Sequence, residues 1–461
     1  MEAPKPHRAI WIFVILHILL AGMYASITPY RTGGNLKHQG GAFAPDIGAP
    51  DERQHANYVA RLLRGEGIPV LDPKDPNLYE NYQAHQPPAY YIIAAGVAKV
   101  TGGVKLESRS EGLPLRFLNA LIGGATVLGT YFFVLWGFRR QDGALTAAAF
   151  AALLPMNLAL SGAISNDPLL YALCTWALAL TARGIRNGFT VKSAAGIGLL
   201  MGLAFLTKTT AVALIPAIGV GFAMARPSKS DILRIGGTAA AIALFLGVPW
   251  WLRNLSAYGD PLAISAFNAA FTGSPQAADF LKFPGGGPVD YWVTGSVTGT
   301  GVAWWTLRSF FGVFGYMDIF VFEAFYGILA FALAILLFLR LASMRKAPDP
   351  EAKPVQAMGF LFFFVVLALF MRFNSQYFQG QARYLFPALA PIAATIGLAI
   401  ASLRKESSAK GKAGGELVPS MVLGIVLIGL NAFALSKLPS EFGVRTGEIA
   451  TVSELGAVGS R

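Results

Sequence analysis

The chain has 461 residues, 54% of them apolar and only 13% charged, where an ordinary soluble protein carries roughly 25% charged residues. So few charges cannot clothe a soluble fold of this size, and apolar runs of about 18 or more residues recur along the whole length, the mark of a polytopic helical membrane protein. A lone cysteine, Cys174, excludes a disulfide or thiolate cluster within the chain, and the excess of 37 basic over 25 acidic residues points to cytoplasmic loops rather than nucleic-acid binding.

In chain order, the N-terminus MEAPKPHR is short and basic. Residues 9–26 are apolar with no small-residue cleavage site, so they read as a retained first span. Residues 30–113 are polar and rich in Gly and Pro, which makes them a long extramembrane loop. Within it, 51–65 is amphipathic, with Ala56, Val59, Ala60, Leu62 and Leu63 among polar neighbours, and predicts a helix lying at the interface. The stretch 87–101 is apolar but too short to span, and its Pro-Pro start suits an interfacial or re-entrant helix. Further spans are predicted at 114–138, 142–163, 168–183, 191–206, 209–225, 232–252, 318–340, 355–372, 384–402 and 417–435, with a second long loop at 253–317. The expected fold is therefore an all-α transmembrane domain of about eleven helices over 1–435, with interfacial helices in its first outward loop and a short outward tail at 436–461. No internal repeat is visible.

The charge rule orients this threading. With the N-terminus cytoplasmic and 87–101 not spanning, the short loops 139–141, 183–192, 226–234, 340–353 and 403–416 join residues 1–8 on the cytoplasmic side. These pieces hold about 18 of the 37 Lys and Arg, as insertion bias requires. Both long loops and the tail from Ser436 then face outward, to the exterior or periplasm.

This topology gathers unusual polar groups on the outer face. Asp51 and Glu52 open the first loop helix, and His55 lies one turn on from Asp51. Tyr82, His85 and Gln86 precede Pro87-Pro88; Asn166-Asp167 falls between the third and fourth spans. Lys208 lies between the fifth and sixth, and Arg383 at the start of the tenth. Ionisable groups at membrane depth are costly, so a functional role is the working hypothesis. Each also has a plain structural use: Asp51 and Glu52 can serve a helix dipole, and Lys208 and Arg383 can snorkel to headgroups. The aromatics of 304–316 suit an interfacial belt. Taken together, carboxylates and cations on one face suit transfer from a phosphorylated donor. Arg and Lys bind phosphate and offset leaving-group charge, and a carboxylate near the acceptor hydroxyl acts as general base. Asp51, His55, His85 and Asp167 are alternatively ligands for a divalent metal.

The stretches PDERQH (50–55), HQPPAYY (85–91), SNDPLL (165–170), FLTKTT (205–210), RNLSAYGDPL (253–262) and QGQARYLFP (379–387) occur in an order that resembles the GT-C integral-membrane glycosyltransferases. These include protein O-mannosyltransferases and the bacterial aminoarabinose transferase of lipid A, and the likeness is strongest to a bacterial branch of that superfamily. The resemblance implies a polyprenyl-phosphate-linked sugar as donor, a lipid, glycan or protein as acceptor, and inverting transfer at the outer face. It implies catalytic roles for Asp51 and Asp167, donor-phosphate binding by Lys208 and Arg383, and a pocket containing Glu52, His55, Tyr82, His85, Gln86 and Asn166. The metal it implies is bound, if at all, through Asp51, His55 and His85. One departure stands out: the Glu-Lys that precedes Pro-Pro in the aminoarabinose branch is His85-Gln86 here. A transporter or flippase of a lipid-linked or anionic substrate, or a surface-polysaccharide polymerase or ligase, would draw on similar cations. Transporters, however, place their sites near the midplane of repeated halves.

Overall fold

The computed structural model describes residues 4–34, 46–299, 301–346, 349–403 and 415–447. The expected tail beyond 447 and most of the basic segment 403–416 lie outside the described residues. Among the described residues the fold is helical, with no strand beyond two isolated bridges. Among the described residues eight helices are long and apolar enough to cross a bilayer, or nine if the bent pair Gln141–Leu153 and Pro155–Ser161 is one span. The eleven expected spans are thus not all matched by length. Val191–Phe205 and Thr209–Met224 stay shorter than a usual span.

The helices are α1 (Ile10–Ile27), α2 (Glu52–Leu63), α3 (Ala89–Thr101), α4 (Arg109–Phe138), α5 (Gln141–Leu153), α6 (Pro155–Ser161), α7 (Asp167–Asn187), α8 (Val191–Phe205), α9 (Leu214–Met224), α10 (Gly237–Tyr258), α11 (Val302–Phe311), α12 (Tyr326–Lys346), α13 (Lys353–Asn374), α14 (Leu389–Ser402) and α15 (Val418–Thr446). Two expectations shift. The span predicted from 318 begins at Tyr326, because 318–325 form turns. The last helix runs on to Thr446, so the near part of the expected tail is helical. The loop helices at 51–65 and 87–101 form as α2 and α3.

Packing follows from residue size. α5 is rich in Ala and buried from Asp142 to Leu153. It sits against α1, α4, α14 and α15. A side chain at Gly397 of α14 would meet the Gly143 carbonyl of α5 at 2.6 Å, so only glycine allows these backbones to approach. Such small-residue contacts replace the hydrophobic drive that lipid does not supply.

The break between α5 and α6 sets the height of the site. Pro155 lacks an N–H and ends the α5 ladder, and the pair bends by 59°. Carbonyls freed at membrane depth must find other donors. Asn157 Nδ2 donates to Ala151 O at 2.8 Å, His17 Nδ1 lies 2.9 Å from Ala152 O, and Asn431 Nδ2 donates to Leu153 O at 2.8 Å. Tyr24 of α1 in turn donates to Asn431 Oδ1 at 2.8 Å. The broken span is thus capped by three side chains from α1, α6 and α15. It carries the chain into the 162–166 loop that ends at Asp167.

Candidate active site

The site is assembled from five separate segments. Asp51 precedes α2 in the left-handed region, with φ 60°. Asp tolerates this conformation better than most residues, yet it still costs about 1–2 kcal/mol. The carboxylate is not spent on capping α2. It accepts instead from Tyr82 Oη at 2.6 Å and from Arg383 Nη2 at 2.5 Å. Tyr82 belongs to the 3₁₀ turn before Pro87, and Arg383 to the 3₁₀ turn that leads into α14. The Arg383 backbone is fixed by Tyr171 of α7, whose hydroxyl donates to the Arg383 carbonyl at 2.8 Å.

A second ion pair lies beside the first. Lys208, just after α8, meets Asp167 Oδ1 at 2.5 Å, and Arg383 Nη1 stands 4.0 Å from Asp167 Oδ2. Carboxylates and cations therefore alternate as Asp51, Arg383, Asp167 and Lys208. The Tyr384 ring supports both cations, its centroid 5.7 Å from Lys208 Nζ and 5.1 Å from the Arg383 guanidinium carbon. Arg383 Nε and Asn166 Oδ1 are buried and have no hydrogen-bond partner among the described residues.

Burial alone would raise the Asp51 carboxyl. The Arg383 guanidinium and the Tyr82 hydroxyl override it and hold it down at about 2. Burial lowers His55 to about 3 and His85 to about 4, so both rings are neutral. His85 Nδ1 lies 2.8 Å from the Tyr82 carbonyl and its Nε2 2.9 Å from Gln86 Nε2. The tautomer that satisfies both contacts carries its proton on Nδ1. Gln86 Oε1 accepts from Asn166 Nδ2 at 3.1 Å, and the same amide donates to Thr207 O at 2.9 Å. These residues tie the Pro-Pro turn, the Asp167 loop and the Lys208 segment together.

The remaining expected pocket residues divide. His55 Nδ1 lies 2.8 Å from Tyr91 Oη, and the charges of Asp51, Lys208, Asp167 and Arg383 all act on its ring. Glu52 points away from the cluster and forms a buried pair with Arg116 of α4, at 2.6 and 2.8 Å. It also accepts from the Ile164 backbone N–H at 2.8 Å. Three side chains at the site were not anticipated from sequence. Tyr316 lies 3.3 Å from the Tyr82 hydroxyl, Tyr384 stacks under the cations, and Arg116 anchors the helix that carries Asp51. Tyr384 adjoins Arg383 in the RYLFP stretch, a usable signal, whereas Tyr316 was hidden in an aromatic run that suited an interfacial belt.

The donor set does not fit the expected metal. Among the described residues no three His, Cys, Asp or Glu side chains come together as ligands. Asp51 is engaged by a guanidinium and a phenol, and one nitrogen of each histidine is held by Tyr91 or a backbone carbonyl.

Comparison with known proteins agrees with this architecture. Residues 85–252 match the family described as dolichyl-phosphate-mannose-protein mannosyltransferase. No curated protein sequence matches. ArnT from Cupriavidus metallidurans, solved bound to undecaprenyl phosphate, superposes with a TM-score of 0.52 at 14% identity, over 94% of this chain and 73% of that one. The archaeal oligosaccharyltransferase AglB from Archaeoglobus fulgidus, in complex with an inhibitory peptide and a dolichol-phosphate, gives 0.56 at 13% identity, over 94% of this chain and 56% of that one. The same Archaeoglobus fulgidus enzyme in complex with Zn and sulfate gives 0.55 at 13% identity, over 93% and 53%. The chain thus spans about half the length of the oligosaccharyltransferase. It is a multi-pass membrane protein with the fold of the GT-C glycosyltransferases.

Proposed function

We propose that the protein transfers a sugar from a polyprenyl-phosphate donor to an acceptor hydroxyl at the outer face of the membrane, with inversion. The observation that carries this reading is the alternation of Asp51, Arg383, Asp167 and Lys208 at one end of the bundle. The likeness to a fold solved with undecaprenyl phosphate and with dolichol-phosphate supports the donor class.

In this reading the donor phosphate replaces the carboxylates as the anion held by Lys208 and Arg383. The unpartnered Arg383 Nε supplies one further donor to it. Losing its guanidinium partner, Asp51 becomes more basic, because burial then dominates its environment. A carboxylate held at about 2 is a weak base; one released by the incoming phosphate is a better one. The acceptor oxygen then attacks the anomeric carbon from the face opposite the phosphate. The new carbon–oxygen bond forms as the carbon–phosphate-oxygen bond breaks, the hydroxyl proton passes to Asp51, and polyprenyl phosphate leaves with its charge offset by Lys208 and Arg383. Tyr82 holds Asp51 throughout. Asp167 positions Lys208 and Arg383, and no step requires a metal.

Native mass spectrometry of the purified protein with added undecaprenyl phosphate tests the donor site. We expect a one-to-one complex that weakens at least tenfold in Lys208→Met and in Arg383→Gln, since each removes a charge-assisted contact worth about 1.5–3 kcal/mol. No complex, or binding at the wild-type level in both variants, would reject the site.

A further inference from the structure

A cavity of about 150 Å³ lies outside the cluster, along the neighbouring face of α2. Its walls include Gln54, Arg31, Arg61 and Lys105, with Glu80 and Glu107. Gln54 is one helical turn beyond Asp51, about 4.5 Å along the axis. The short helix Leu78–Asn81, just before the turn that supplies Tyr82 to Asp51, supplies Glu80 to the cavity. The cavity and the carboxylate thus share two walls but face different directions.

The cavity has unmet hydrogen-bonding capacity of both kinds. Gln54 is 2% exposed. Its Nε2 donates to Tyr79 O at 2.8 Å, while its Oε1 has no partner among the described residues. The buried Nε atoms of Arg31 and Arg61 are likewise unpartnered. Buried polar atoms left unpaired cost about 1–3 kcal/mol each, so a ligand that pairs them is favoured. It must offer a hydroxyl to Gln54 Oε1 and acceptor oxygens to the two arginines. Charge sets the acceptor type. Four cations, Arg31, Arg61, Arg64 and Lys105, line the cavity against Glu80 and Glu107; Glu80 is already paired with Arg53 at 3.4 Å, Arg64 pairs with Glu66, and Arg61 reaches Glu66 only at 3.6 Å. A cavity near 150 Å³ accommodates one six-membered ring.

We infer that this cavity is the subsite for an acidic sugar unit of the acceptor, an inference that rests on the transferase reading. Hydroxyls, one carboxylate and one ring satisfy every requirement of the lining. The acceptor class is then an acidic glycan rather than a peptide.

The test uses the full-length protein in detergent with two small probes, methyl β-D-glucuronide and the neutral methyl β-D-glucoside, their affinities read by saturation-transfer NMR titration. The glucuronide should bind at least tenfold more tightly. Arg61→Gln should abolish that preference while Lys208→Met retains it. Gln54→Leu should weaken both probes, and Arg61→Gln, at a partly exposed position, keeps the test valid if Gln54→Leu does not fold. Equal affinity for the two probes, insensitivity to both variants, or displacement of the glucuronide by phosphatidylglycerol at equal concentration would overturn the subsite. No preference for the glucuronide in a wild-type protein that still releases polyprenyl phosphate would end this inference alone. Glucuronide binding in a protein that never releases polyprenyl phosphate would instead end the transferase reading.

Discussion

Glu52→Gln is a change of one atom with a large predicted cost. Arg116 is fully buried, and its donors go to Glu52 and to the carbonyls of Ala25, Thr28 and Pro29, all between 2.6 and 2.9 Å. Glu52 is its one ionic partner among the described residues. The glutamine amide removes the charge and sets a donor against the guanidinium. Breaking a buried pair by removing one charge costs about 3–5 kcal/mol. An unfolding entropy of about 2.1 cal/mol/K per residue gives about 1 kcal/mol/K for a chain this long, so the melting temperature should fall by about 3–5 °C. Scanning fluorimetry in detergent reads this directly. Glu66→Gln is the matched control, because Glu66 pairs with Arg61 and Arg64 at the exposed surface and its loss should leave the melting temperature unchanged. A Glu52→Gln protein that melts with the Glu66→Gln control would refute the claim that this pair anchors α2, and with it the placement of Asp51.

Other expectations follow from the same geometry. Asp51 sits at about 2 when folded, against an ordinary 3.8, so its pairing stabilises the protein fully above pH 4 and is lost as the pH falls toward 2. The gap in melting temperature between the wild type and Arg383→Gln should therefore close over that interval; a gap that stays constant contradicts the pairing. Asn431→Leu leaves Leu153 O and Tyr24 Oη unpaired, about 1–3 kcal/mol each, and should lower the melting temperature by a few degrees. An unchanged melting curve would remove Asn431 as a cap of the broken span. Cys174 is buried, so single-cysteine labelling has little background. Lys74→Cys should react from outside and Ser230→Cys only after permeabilisation; the reverse would invert the topology.

Much of the fold was legible because membrane helices announce themselves by length and apolarity. The boundaries were less so. The last helix continues through Ser436 and Lys437 to Thr446, where polar residues suggested an end. Val191–Phe205 and Thr209–Met224 were counted as spans although their lengths fall short. At the site, sequence order could name Asp51, Asp167, Lys208 and Arg383 but not their pairing. Asp51 and Arg383 are 332 residues apart, and only the folded chain shows that each carboxylate has its own cation. Glu52 illustrates the limit of helical spacing. It adjoins Asp51 in sequence, yet its carboxylate pairs with Arg116, while His55 stays within reach of the cluster's charges as its Nδ1 meets Tyr91. Arg116 gave no signal, since an arginine near a span end suits headgroup snorkelling as well as it suits a buried pair.

The most direct measurement is the release of polyprenyl phosphate from a radiolabelled polyprenyl-phosphate sugar by purified wild-type protein and by Asp51→Asn, each supplied with membrane extract as the source of acceptor. The account predicts release by the wild type with the label moving to the acceptor, and a loss of several orders of magnitude in Asp51→Asn although undecaprenyl phosphate still binds. Equal release by the two proteins, or none by the wild type with donor bound, would contradict it.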